Sequence, residues 1–301
     1  MKKISSRPEN MMKEPVPGVD FPETTAIPQH EDLVYANVSS AQKLDLYLPQ
    51  GSGPFPLVIM VHGGGFNMGD KSHMRSKPGT DDLLRNGYAV ANVNYRLSSE
   101  AKAPAQIQDI KTAARWLRAH AKEYALNPNK FGAWGASAGG NLVALMGTSC
   151  GVAALEGAEL GYKDQSSCIQ AVIDWFGPID FLKMDQQFAG NPNLQTHDAP
   201  DSPESILIGV PIQTRPDLVQ IINPLTYVSP DASPFLIQHG TEDDLVPVQQ
   251  SQSLYAALKS AIGADKVILT LFEGASHGGG PQFWKPANIK LVIGFLDKFL
   301  K

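Results

Sequence analysis

Five strand-length runs of almost unbroken apolar character recur along the chain, and stretches with helical spacing separate them. The runs are Pro56 to His62, Tyr88 to Val93, Gln170 to Phe176, Pro234 to Gln238 and Lys266 to Phe272. A strand that is apolar on both faces has to be covered on both faces. The clearest intervening stretch is Ile107 to Tyr124, where Ile107, Ile110, Ala114, Leu117, Ala121 and Tyr124 fall on one helical face. Strand and helix in alternation imply an α/β sheet that is mostly parallel, with helices on both faces. Earlier, Leu33 to Ser40 and Lys43 to Pro49 alternate apolar and polar residues, which predicts an antiparallel hairpin at the sheet edge.

At 301 residues the chain suits one large domain. Residues 1–30 are polar and proline-rich and read as a tail without the apolar segment of a signal peptide. Residues 31–301 form the domain. Within it, residues 179–229 are less regular and carry Pro192, Pro200, Pro203, Pro211, Pro216 and Pro224. They read as an insertion of short helices above the strand ends, placed to act as a lid or substrate wall. The net charge of −5 gives no electrostatic reason to expect nucleic acid or an anionic membrane as partner. The apolar runs are too short to cross a bilayer. Cys150 and Cys168 are too few for a disulfide framework, so two free thiols of a cytoplasmic protein are the first expectation. A bond between them would clip the loop after a helix and imply an oxidising compartment, secreted or periplasmic.

Ligand sites of open parallel sheets lie beyond the carboxyl ends of the strands, and the residues at those exits can carry chemistry. Residues 135–139 read Gly-Ala-Ser-Ala-Gly after the short strand Lys130 to Trp134. Two glycines would let the chain turn sharply from strand to helix and leave the Ser137 hydroxyl exposed. The pentapeptide alone is weak evidence in a chain with 27 glycines. A serine hydroxyl also needs a neighbouring base. Of the seven histidines, His277 follows the last strand among small residues, whereas His62 and His239 suit structural hydrogen bonds at their strand ends. The acid that orients the base is expected in Glu242-Asp243-Asp244, after another strand, with Asp243 and Asp244 not separable on physical grounds. That run lacks spaced histidine ligands, so no metal is expected, and no cofactor motif is present. His62-Gly63-Gly64-Gly65-Phe66 brings glycine amides to a strand exit, where they could approach a substrate oxygen. It lacks the endings of a phosphate-binding loop.

The order glycine loop, serine, aspartate, histidine is that of α/β-hydrolases. His62-Gly-Gly-Gly-Phe66, Asn94-Tyr-Arg-Leu97, Gly135-Ala-Ser-Ala-Gly-Gly140 and His239-Gly-Thr-Glu-Asp243 together resemble the esterases of that fold. Asp174-Trp-Phe-Gly-Pro178 and Asn223-Pro-Leu-Thr-Tyr-Val-Ser229 add to the resemblance, which runs from about residue 33 to the C-terminus. Within the fold the chain is similar to hormone-sensitive-lipase-like carboxylesterases and to bacterial feruloyl/acetylxylan-type esterases. The resemblance implies Ser137 as nucleophile, Asp243 as acid with Asp244 in reserve, and His277 as base. It also implies oxyanion donors at the amides of Gly64, Gly65 and Ala138. Many relatives carry an acidic residue before the nucleophile, where this chain has Ala136. The expected activity is hydrolysis of a small-molecule ester through an acyl-enzyme, on a small or aromatic acyl group. Amide or formamide cleavage, or the action of a small peptidase on the same fold, is the alternative, and a non-catalytic binding role is a third reading. Phe66, Met68, Trp175 and Phe176 are candidates for the pocket, although core is the default for such residues. A homodimer through an edge strand or the last helix is left open.

Overall fold

A computed structural model describes residues 25–72, 78–188, 196–278 and 280–301; most of the expected N-terminal tail lies outside these residues. The sheet has eight strands: β1 (His30–Val34), β2 (Lys43–Tyr47), β3 (Phe55–Val61), β4 (Ala89–Val93), β5 (Leu126–Ala136), β6 (Ala171–Trp175), β7 (Phe235–Gly240) and β8 (Val267–Phe272). Their spatial order is β1-β2-β4-β3-β5-β6-β7-β8. The first two strands pair antiparallel, β2 also meets β4 antiparallel, and every other pairing is parallel. This is the α/β-hydrolase fold with its N-terminal hairpin.

The helices are α1 (Pro78–Arg85), α2 (Ala105–Ala119), α3 (Ala138–Thr148), α4 (Ala153–Glu156), α5 (Met184–Gln187), α6 (Pro203–Ile208), α7 (Pro216–Gln220), α8 (Val248–Ile262) and α9 (Pro286–Leu300). The unbroken apolar runs are explained by two cores, one on each face of the sheet. Along β3, Leu57, Ile59 and Val61 point into the core beneath α2, α3 and α8, where they join Leu117, Leu145 and Leu258. Val58 and Met60 point the other way, towards Leu83 of α1 and Ile293 and Leu296 of α9. The period of two along a strand divides one apolar run between two interiors. Each fully buried aliphatic side chain stabilises the fold by ~1.5–3 kcal/mol.

Three expectations shift. The helix predicted as far as Tyr124 ends at Ala119, and single turns continue to Ala125, whose φ is +51°. Strand β5 begins at Leu126 rather than Lys130. Leu126 pairs with Phe55, and the register then slips before Phe131 meets Leu57. Pro128 has no ladder hydrogen bond to donate and sits in that irregularity. The third shift concerns the cysteines, which are bonded to each other and are not free thiols. Cys150 follows the end of α3 and Cys168 precedes β6, with their Cα atoms 5.0 Å apart. A helix packed on a parallel sheet ends where the next strand begins, and that brings the two together.

The region 179–229 contains α5, α6, α7 and single 3-10 turns. Its local starts follow helix-capping rules. Ser202 Oγ accepts a hydrogen bond from the Ser205 amide at 3.0 Å, Pro203 occupies the first turn, and Gly209 closes α6 at φ 90°.

Candidate active site

The turn from β5 into α3 requires both glycines that flank Ser137. A Cβ on Gly135 would lie 2.2 Å from the Gly139 carbonyl oxygen, and one on Gly139 would lie 2.2 Å from that of Val61. Ser137 itself has φ 56° and ψ −124°, a conformation that L-residues rarely adopt. Its amide donates to the Trp175 carbonyl at 2.9 Å, which ties the turn to β6. The hydroxyl therefore stands above the sheet at the first turn of α3, where unpaired amides and the helix dipole favour negative charge.

The Ser137 hydroxyl lies 3.0 Å from His277 Nε2. On the far side of the ring, His277 Nδ1 lies 2.8 Å from Asp243 Oδ2 and 3.1 Å from Oδ1. A proton on Nδ1 leaves the Nε2 lone pair facing the serine, the arrangement a general base needs. The Phe176 ring meets the imidazole edge-on at 4.9 Å between centroids and fixes its tilt. Asp243 is buried, while Asp244 beside it is exposed to solvent. Asp243 Oδ1 accepts from the amides of Leu245 and Val246 at 2.9 and 2.8 Å. Burial alone would raise its pKa, but the hydrogen bonds from His239 and His277 outweigh that and hold it far below the usual carboxylate range.

His239 is a second histidine on the same carboxylate. Its Nε2 lies 3.2 Å from Asp243 Oδ2 and 2.9 Å from the Val246 carbonyl, and its Nδ1 lies 2.7 Å from Ser251 Oγ. His62 braces the glycine loop: its Nδ1 lies 2.8 Å from the Gly63 carbonyl, and its ring stacks on Tyr95 at 4.4 Å. Beneath the turn, Asp174 is fully buried. Its Oδ1 accepts from the Gly177 amide at 3.0 Å, and its Oδ2 has no hydrogen-bond partner among the described residues. Burial raises its pKa from 3.8 to about 6, against the opposing pull of the Gly177 amide and His239.

A cavity of about 70 Å³ opens beside Ser137. Gly65, Phe66, Ala138, Pro178, His197, Pro203, Glu204, Leu245 and Val246 line it together with Ser137. Among the residues expected at the oxyanion, Gly65 and Ala138 line this cavity, and Gly64 does not. Among the expected pocket residues only Phe66 reaches it. Met68 is exposed, 55% accessible, outside it. Trp175 is a core residue wedged between Trp134, Phe283 and Trp284 at 4.7–5.0 Å, because its strand position points to the face covered by α9. Phe176 serves the His277 ring instead of the cavity.

Two polar residues of the cavity wall escaped the sequence reading. His197 and Glu204 are buried, with Nδ1 and Oε1 3.1 Å apart. Burial opposes charge on His197, but Glu204, then Asp185 and the Leu245 backbone, more than offset it and raise its pKa. The cap at Ser202 could have located the start of α6, and hence Glu204, from sequence; nothing in the sequence marks His197.

The chain spans only 51–60% of the length of the first curated relatives it matches. One of these, a probable carboxylic ester hydrolase, LipM, of Mycobacterium tuberculosis, is 28% identical over 231 residues, 76% of this chain and 51% of its own. Among solved structures, a truncated carbohydrate esterase from gut microbiota superposes with a TM-score of 0.81. It is 33% identical, over 92% of this chain and 97% of that one. Esterase 2 of Thermogutta terrifontis, phosphonylated by sarin, superposes with a TM-score of 0.72 at 25% identity, over 93% and 96% of the two chains. The BD-FAE family model matches residues 44–258, which takes in the glycine loop, Ser137 and Asp243. On that match and on its α/β-hydrolase fold, the chain belongs to the BD-FAE family.

Proposed function

We propose that the protein is a serine carboxylic ester hydrolase that acts on small-molecule esters through an acyl-enzyme on Ser137. The observation that carries this reading is the hydrogen-bonded series Asp243, His277, Ser137 at the mouth of a small cavity. His277 Nε2 takes the Ser137 proton as Oγ attacks the ester carbonyl, and Asp243 stabilises the imidazolium that forms. The amides of Gly65 and Ala138 are the best-situated oxyanion donors, with Gly64 as a further candidate. The tetrahedral intermediate expels the alcohol, protonated by His277. Water, activated by the same imidazole, then frees the acid.

The cavity of about 70 Å³ favours short acyl groups over aromatic ones, since pockets that hold drug-sized ligands run to roughly 300–1,000 Å³. The sarin adduct of the Thermogutta esterase suggests a direct test. An organophosphate should add once to this protein, on the peptide bearing Ser137, and abolish hydrolysis of p-nitrophenyl acetate. Ser137→Ala should neither hydrolyse nor label. Hydrolysis at a normal rate by that variant would overturn the reading. The disulfide supports a secreted or periplasmic setting. Alkylation in intact cells, without reductant, should leave both cysteines unmodified; labelled cysteines would place the protein in a reducing compartment.

A further inference from the structure

The wall of the cavity carries a charge that the hydrolytic chemistry does not use. Glu204 is 5% accessible. One carboxylate oxygen lies at ion-pair distance, 3.1 Å, from His197 Nδ1, while the other, Oε2, and both ring nitrogens of His197 have no hydrogen-bond partner among the described residues. A buried carboxylate oxygen without a donor is costly and is normally satisfied. Here both Glu204 and His197 line the cavity that contains Ser137, and the remaining lining is chiefly apolar, with Phe66, Pro178 and Val246. His197 is itself held from the other side, because its amide donates to Asp185 Oδ1 at 2.7 Å. Pro203 fixes the start of α6 against Gly65, so the carboxylate is supported by a short helix packed onto the glycine loop.

We infer that Glu204, beside His197 in the cavity wall, is a specificity-determining residue that accepts a hydrogen bond from a hydroxyl group of the substrate ester close to the scissile bond. The inference rests on the hydrolase reading above. It adds that the preferred ester carries a donor in the part that enters this cavity. A purely aliphatic group there would leave Oε2 unpaired, and such sites discriminate strongly against analogues that lack the donor.

Two pairs of esters that differ by CH₃ against OH test this and locate the group. Methyl butyrate against methyl 3-hydroxypropanoate reports on the acyl side, and propyl acetate against 2-hydroxyethyl acetate reports on the alcohol side. In one pair the wild-type enzyme should favour the hydroxylated member in kcat/KM by about tenfold or more, the scale of one hydrogen bond to a charged acceptor. Glu204→Met should bring that ratio close to one, and Glu204→Gln should weaken it, because a neutral amide oxygen is the poorer acceptor. Equal rates for both members of both pairs in the wild type would overturn the inference without recourse to any variant, as would a preference that survives in Glu204→Met. Turnover of p-nitrophenyl acetate but of none of the four esters would also overturn the inference, whereas loss of p-nitrophenyl acetate turnover as well would overturn the hydrolase reading.

Discussion

Asp174 illustrates how burial sets the behaviour of a single group beneath the site. Its side chain is fully enclosed under Gly140 and Gly177, and one of its two oxygens has no donor among the described residues. Burial raises its pKa from 3.8 to about 6. Below 3.8 it is protonated in folded and unfolded chains alike, and it imposes no penalty. Between 3.8 and about 6 the unfolded chain releases the proton while the folded one keeps it, so stability falls as pH rises and then levels off. The total is on the order of 2–3 kcal/mol. Asp243 acts in the opposite sense: its depressed pKa stabilises the fold above 3.8, and that contribution is lost as pH falls below this value. The window between pH 4 and 6 therefore belongs to Asp174. Urea unfolding at pH 4.5, 6 and 7.5 should show wild-type stability declining relative to Asp174→Asn across that window. Parallel curves for the two proteins would refute the assignment. The same scale shows what a sequence can disclose. Ser137, Asp243 and His277 each sit at a strand exit with small or turn-forming neighbours, and the structure brings those three side chains within hydrogen-bond reach. Trp175, one residue past Asp174 at a strand end, resembles a pocket residue in sequence because apolar side chains on the two faces of a doubly covered strand look alike there.

At the scale of elements, the joint between β5 and α3 is where local sequence and tertiary packing impose the same demand. Gly139 has to be a glycine for a non-local reason: any Cβ would meet the carbonyl oxygens of Val61 and His62 at 2.2 and 2.7 Å. Backbone atoms cannot swing aside as the end of a side chain can. Gly139→Ala should therefore force β3 and α3 apart, cost about 1–3 kcal/mol, and reduce kcat/KM by far more than the stability loss alone would, because Ser137 moves with the turn. Gly294 is the contrasting case. It lies on the exposed face of α9, and no atom stands within 4 Å of an added Cβ. Gly294→Ala should stabilise by about 0.5–1 kcal/mol through helix propensity and leave kcat/KM unchanged. Denaturant midpoints and initial rates for the two variants side by side check both statements, and equal effects would sink the argument. The elements themselves were legible wherever a long period dominated, as in α2 and the central strands. The start of β5 was not. Asn127-Pro128-Asn129 carries a strong breaker signal, and only the pairing of Leu126 with Phe55 keeps that segment in the sheet.

For the whole molecule, the parallel order of the strands separates function from one of its covalent restraints. Ser137, Asp243 and His277 follow β5, β7 and β8, so all three gather at the carboxyl-end rim of the sheet. The wall residues His197 and Glu204 come from the irregular stretch between β6 and β7, which the sequence places above the strand ends, but no local pattern reveals which of its side chains face the cavity. The disulfide lies at the opposite end. Helix α3 starts at Ala138 beside Ser137 and runs for 11 residues before Cys150, which puts the bond roughly 16 Å further along the helix axis. Opening a cross-link over 18 residues frees loop entropy in the unfolded chain worth about 3 kcal/mol. The reduced protein, or Cys150→Ser with Cys168→Ser, should accordingly unfold at a lower temperature, by several degrees in a chain of this size. Its kcat/KM at 25 °C should match that of the oxidised form, since the rim keeps every hydrogen bond from Asp243 through His277 to Ser137. Calorimetry and ester kinetics on the same samples separate the two effects: a loss of activity in step with the loss of the bond would mean that α3 transmits strain along its length to Ser137.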